Sequence, residues 1–259
     1  MRILEARDIK FGYRGGPAVL SASLAIEAGS LTAVVGSNGS GKSTLIRVLA
    51  GLLEPWSGHV FYRGERLDDQ SRRKLARRLA YVPQNTSKAF PFTSLEVVLT
   101  GRTPYSSRFR LETFADERVA MEALQLVGVQ HLADRRITEL SGGERQLVAV
   151  ARALAQEPEC LLLDEPSSSL DLKHRSGLIR LLLDLQQHKG LTIVMITHDL
   201  MLLEPGFDQV FALRCGRIAA LGSPQQVITD DVLADVYDDP FIRTSRVNGQ
   251  LCVWSQVHA

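Results

Sequence analysis

Eight consecutive residues, Gly36, Ser37, Asn38, Gly39, Ser40, Gly41, Lys42 and Ser43, match G-x-x-x-x-G-K-[ST], the pattern of a loop that wraps a phosphate chain, and Thr44 follows them. The glycines let successive backbone N–H groups turn inward. Lys42 can then reach the β- and γ-phosphates, and the Ser43 hydroxyl can hold Mg²⁺. The apolar run Leu31–Val35 before the loop reads as a strand, and Thr44–Leu52 after it as a helix. This strand, loop and helix order is the setting such a loop needs, and it points to a nucleoside triphosphate.

Other polar residues could act on the same ligand. Asp164 and Glu165 close the apolar run Cys160–Leu163. One carboxylate can serve the Mg²⁺ shell, the role expected of Asp164, while Glu165 orients and deprotonates an attacking water. His198 follows the run Thr192–Ile196, where an imidazole can donate to the γ-phosphate as charge shifts in the transition state. Gln84 ends Tyr81-Val82-Pro83-Gln84, and its amide can coordinate Mg²⁺ while passing nucleotide state to the helices beyond. Ser141 with Glu144 three residues later spells a capping box. Gly142 and Gly143 beside that cap strip side chains from a helix N-terminus, leaving a second surface suited to an anion. Two chains paired head to tail, each offering Ser141 and Gly143 to the other's ATP, would reconcile two phosphate surfaces with one nucleotide. His59, His131, His174, His188 and His258 lack such placement and are read as structural.

Positioning these groups requires a parallel sheet, because ligands of open α/β sheets sit beyond the carboxyl ends of the strands. The runs Leu31–Val35, Cys160–Leu163 and Thr192–Ile196 read as its buried strands. Before them, Ile3–Ile9 and Val19–Ile26 around a Gly-rich break suit an antiparallel β-layer. Leu95–Leu99, Glu117–Val127 and Arg145–Ala155 carry helical periodicity and read as an insertion into the α/β core. The expected organisation is an ATP-binding core of residues 1–86 and 156–240, a helical subdomain of 87–155 and a C-terminal hairpin of 241–259. Asn248-Gly249 would form the turn of that hairpin.

Composition narrows the partners. Thirty basic against twenty-nine acidic residues give a net charge of +1, so no overall field favours nucleic acid, and none is expected as a partner. The basic run Arg72 to Arg78 reads as a solvated helix face. Cys160, Cys215 and Cys252 lack the spacing of a zinc or redox site and read as buried reduced thiols of a cytosolic protein. No signal-peptide h-region opens the chain, and nowhere do eighteen apolar residues run together, so neither export nor a membrane span is expected.

The order of phosphate loop, Y-V-P-Q, L-S-G-G-E-R-Q, L-L-L-D-E-P, S-S-L-D and T-H-D is similar to that of ABC-transporter ATPase subunits, over nearly the whole chain. The resemblance implies a P-loop NTPase (RecA-like) α/β core with a parallel sheet, an N-terminal antiparallel β-layer and an inserted helical subdomain. It also implies ATP and Mg²⁺, a head-to-tail homodimer, and assigned roles: Tyr13 stacking on adenine, Gln84 in the Q-loop, Asp171 in the D-loop across the dimer, His198 as switch histidine. Ser37 stands where a proline is frequent and Ser167 where a threonine is, neither a catalytic side chain. The stretch Phe90–Tyr105 further resembles ATPases of iron-siderophore, haem and vitamin B12 importers, in which it meets the membrane subunit, so Gly101, Arg102 and Pro104 would shape that contact. Implied partners are permease subunits and an exported substrate-binding protein, with the chain peripheral on the cytoplasmic face of the inner membrane. A DNA-maintenance ABC ATPase would carry long heptad insertions, and a translation-associated one two motif sets. Neither is present.

Overall fold

A computed structural model of the chain describes residues 1–84, 91–105, 113–204, 206–248 and 250–256. Phe90, Gly249 and His258 lie outside them. The first elements are β1 (Arg2–Tyr13), β2 (Gly16–Glu27), β3 (Leu31–Gly36), α1 (Lys42–Leu49), β4 (Ser57–Tyr62) and β5 (Glu65–Arg66). Next come α2 (Arg72–Ala76), β6 (Leu79–Val82), α3 (Ser94–Leu99), α4 (Phe114–Leu126), α5 (Gly142–Leu154), β7 (Cys160–Asp164) and α6 (Leu172–Lys189). The chain closes with β8 (Thr192–Ile196), β9 (Gln209–Arg214), β10 (Arg217–Gly222), α7 (Pro224–Val227), α8 (Asp230–Tyr237), β11 (Ile242–Val247) and β12 (Gln250–Ser255). They form two compact units, Met1–Asp69 with Thr192–Ala259, and Gln70–Leu191.

In the first unit the strand order is β5-β4-β1-β2-β10-β9-β3-β8. β1 pairs antiparallel with both β2 and β4, the expected antiparallel layer. β3 runs parallel to β8 and to β9, and every residue of β3 and β8 is buried, as two-sided coverage demands of such apolar runs. Val34 lies opposite Ile196, so the two strands end side by side. The phosphate loop and the Thr197-His198 turn therefore leave the sheet at one edge, where the Thr197 N–H donates to the Val34 carbonyl at 3.3 Å. Helix α1 stops at Leu49, short of the expected Leu52, because Gly51 turns left-handed at φ +68°. β11 and β12 form the C-terminal hairpin, with Val247 opposite Gln250 and Asn248 at φ +51°.

In the second unit β6 runs parallel to β7, with Val82 opposite Leu163, and all of β7 is buried. Helices α3, α4 and α5 bury Val98, Ala120, Leu124, Leu147 and Val150. Helix α4 begins at Phe114 because Thr113 and Asp116 close a capping box there, a start ahead of the apolar period at Glu117. After α3 the chain turns at Gly101, where a Cβ would lie 2.2 Å from the Arg152 carbonyl oxygen. Only glycine allows that approach to α5. The Arg73 and Arg77 Nε groups both donate to the Pro104 carbonyl, at 2.8 and 2.9 Å. The basic run is thus more than a solvated face, since two of its arginines clamp this turn. Among the described residues, no helix is long and apolar enough to cross a membrane.

Candidate active site

The phosphate loop owes its shape to two close approaches. Gly36 sits at φ +144°, where a Cβ would fall 2.2 Å from the Leu213 carbonyl oxygen. Gly41, the residue before α1, sits at φ +101°, and its Cβ would fall 2.3 Å from the Ala18 carbonyl oxygen. Neither backbone conformation nor space admits a side chain. Lys42 is only 5% exposed, and its Nζ donates to the Gly36 and Ser37 carbonyls, each at 2.9 Å. The cation is thereby held along the loop that Ser37, Asn38 and Gly39 complete. The Ser40 hydroxyl is buried and finds no partner among the described residues. Such an orphan costs about 1–3 kcal/mol and is expected where a ligand completes the site. Lys42, Ser43 and Thr44 open α1, whose N-terminus carries the positive end of the helix dipole. His198 is exposed at the same edge of this unit.

The second unit gathers the other residues. Following β6 and β7, Gln84 and Glu165 meet, the Gln84 amide donating to Glu165 Oε2 at 2.6 Å. Glu165 holds a left-handed backbone at φ +49°, a strained state for a side chain of its type and common at functional sites. Its carbonyl accepts from the Ser168 N–H and hydroxyl, which fixes the turn that follows. Asp164 is wholly buried and accepts from the Tyr81 hydroxyl at 3.2 Å. Ser141 caps α5, its Oγ accepting from the Glu144 N–H while the Glu144 carboxylate accepts from the Ser141 N–H. Gly143 packs where a Cβ would stand 3.2 Å from Leu170 Cδ2 and the Ser169 carbonyl oxygen, while Gly142 is exposed. Asp171 caps α6 through the His174 N–H at 2.8 Å, and that bond, followed by one to the imidazole, holds its carboxyl below the usual range.

The ABC transporter family model matches residues 19–168, more than half of the chain. The chain belongs to the ABC transporter family. It is 36% identical to the ferric enterobactin transport ATP-binding protein FepC of Escherichia coli K12, over 94% of this chain and 93% of that one. It is 43% identical to the hemin import ATP-binding protein HmuV of Nocardia farcinica, over 92% and 83% of the two chains. A solved structure described as an inward-facing conformation of a metal-chelate type ABC transporter superimposes with a TM-score of 0.83 at 30% identity, covering 98% and 96%. As an ABC transporter ATP-binding subunit, the chain is an ATPase.

Two contacts beside these residues are not apparent from the sequence. The Tyr81 hydroxyl, at the start of Y-V-P-Q, donates to Asp164. Gln146, buried in α5, directs its amide at the Pro83 carbonyl at 3.4 Å, just before Gln84. Both contacts follow from strand register and helix packing, which single motifs do not encode. Among the described residues, no three His, Cys, Asp or Glu side chains gather to hold a metal by themselves.

Proposed function

We propose that the chain is the ATP-hydrolysing subunit of an importer that moves a metal chelate, an iron-siderophore or haem, or a corrinoid, through a separate membrane permease. The observation that carries this reading is the full-length similarity to ferric enterobactin and hemin import subunits. Two copies would pair head to tail on ATP, each using its own Gly36–Thr44 loop and offering Ser141, Gly142, Gly143 and Asp171 to the other copy's nucleotide. Two separate helix N-termini suited to anions, at α1 and α5, support that arrangement. Mg²⁺, where Ser43, Gln84 and Asp164 would hold it, supplies charge neutralisation between the phosphates.

In this reading Tyr13 stacks on adenine, Lys42 neutralises phosphate charge and Glu165 takes the proton of the attacking water. His198 donates to the γ-phosphate. Gln84, tied to Glu165, relays the nucleotide state to the insertion that follows it. Residues 87–155 form a helical subdomain in which Gly101, Arg102 and Pro104 shape the permease contact. The chain is peripheral on the cytoplasmic face of the inner membrane, and an exported binding protein delivers cargo to the permease. The test is purification of the chain from gently solubilised native membranes with identification of what accompanies it. A polytopic permease together with an exported chelate-binding protein is expected. Recovery with soluble or DNA-bound partners alone would overturn the transport role and leave the ATPase.

A further inference from the structure

Register places an aromatic row beside the phosphate loop. Along the β1–β2 hairpin, Phe11 faces Val19, Gly12 faces Pro17 and Tyr13 faces Gly16. Between those positions lies Ala18, whose carbonyl oxygen is the atom a Cβ on Gly41 would strike. The hairpin tip bearing Tyr13 therefore abuts the phosphate loop within one unit. Trp56 reaches the same place by another route, from the link between α1 and β4, and its N–H donates to the Lys10 carbonyl at 2.8 Å. Its ring lies 6.1 Å from that of Phe11 at 33°, and Phe11 in turn meets Tyr13 edge-on at 5.2 Å and 85°. The outer edge of the indole covers Gly12, since a Cβ there would fall 2.5 Å from Trp56 Cη2.

Burial is unequal along this row. Phe11 is 8% exposed, whereas Tyr13 is 48% and Trp56 62% exposed. A tryptophan left so open gains little from folding, and a smaller residue would satisfy the same Lys10 hydrogen bond. What the large ring adds is a rigid plate that spans a glycine and backs the Phe11 ring, which touches Tyr13. Offset and edge-to-face contacts of this kind fix ring orientation.

We propose that Trp56 is a positioning residue for the nucleobase: packed on Phe11 and over Gly12, it holds the Tyr13 ring in the plane that stacks on adenine. This rests on the assignment of Tyr13 to the base. Because the base is bound alike before and during hydrolysis, the effect falls on KM and Kd, with kcat unchanged.

The chain has two tryptophans, so Trp254→Phe leaves Trp56 as the sole indole reporter. In the full chain with that substitution, Trp56 emission should change on titration with Mg-ATP and not with Mg-tripolyphosphate, which carries the phosphates without a base. Separately, Trp56→Ala should raise KM and Kd for ATP about three- to tenfold, the scale of an aromatic contact. Its kcat and its affinity for tripolyphosphate should stay as in the parent, and Trp56→Phe should recover most of the loss. Tyr13→Ala is the companion variant. If it weakens ATP but Trp56→Ala does not, the role of Trp56 falls while that of Tyr13 stands. Unchanged ATP affinity in Tyr13→Ala removes the base-stacking assignment, and the role of Trp56 with it. Equal losses for ATP and tripolyphosphate in Trp56→Ala would show general loosening of the loop and overturn the proposal.

Discussion

The Gln84 side-chain amide donates to the Glu165 carboxylate at 2.6 Å, joining the segment after β6 to the residue after β7 that is proposed as base. In Glu165→Gln the side-chain oxygen can still accept from Gln84, so the contact survives while the basic group is lost. ATP affinity should therefore stay within about twofold, while turnover falls at least about a hundredfold, the range of a lost general base. Nucleotide-bound dimer should accumulate on size exclusion. Phosphate release at the parental rate would remove Glu165 from this role.

Lys42 spans the loop, its ammonium on the Gly36 and Ser37 carbonyls. Lys42→Ala deletes that brace and the positive charge meant for the phosphates together. Losing a charge-assisted contact should raise the Kd for ATP about ten- to a hundredfold, read by calorimetry. Binding at the parental Kd would sink the phosphate-loop assignment.

The strands and motif residues were legible because their signals are local. Leu31–Val35 and Thr192–Ile196 are apolar runs of strand length, and the structure makes them β3 and β8. The Ser141 capping box was read from two residues three apart, and both of its hydrogen bonds are present. Contacts made at long range were not legible. Tyr81 meets Asp164 only because β6 and β7 are parallel in one register, and Arg73 and Arg77 reach Pro104 only once the turn after α3 has packed. Helix starts slipped for a related reason. Thr113 capped α4 ahead of its apolar period, since capping depends on hydrogen bonding and periodicity on burial.

The cap of α5 should make stability depend on pH. Hydrogen bonds from the Ser141 side chain and backbone, aided by the charges of Arg135 and His131, hold the Glu144 carboxyl below its ordinary value of 4.5. A depressed carboxyl stabilises the fold above its unfolded pKa and loses that contribution as pH falls through the folded one. Glu144→Gln keeps the shape and deletes the charge. Its melting temperature should lie about 1–3 °C below the parent at pH 7, and the gap should close below about pH 4. A gap independent of pH would assign the cap to shape alone.

Thiol reactivity ties folding to nucleotide binding. Cys160 lies in the buried strand β7, where burial above all, and then the charge of Glu159, pushes its thiol up to about 12. That raised value leaves the buried thiol almost wholly protonated near neutral pH, and the thiolate is the reactive form. Against the expectation that all three thiols are buried, Cys215 is exposed in the turn between β9 and β10, and Cys252 is half-buried. With an alkylating reagent followed by mass spectrometry, Cys215 should label first, Cys252 more slowly, and Cys160 only through unfolding. ATP stabilises the folded state by mass action, so it should slow labelling of Cys160 further without protecting Cys215. In Lys42→Ala that protection should shrink at the same ATP concentration, because the linkage runs through binding at the phosphate loop. Cys160 labelling as fast as Cys215 would contradict the buried strand, and equal protection in the Lys42 variant would place the nucleotide elsewhere.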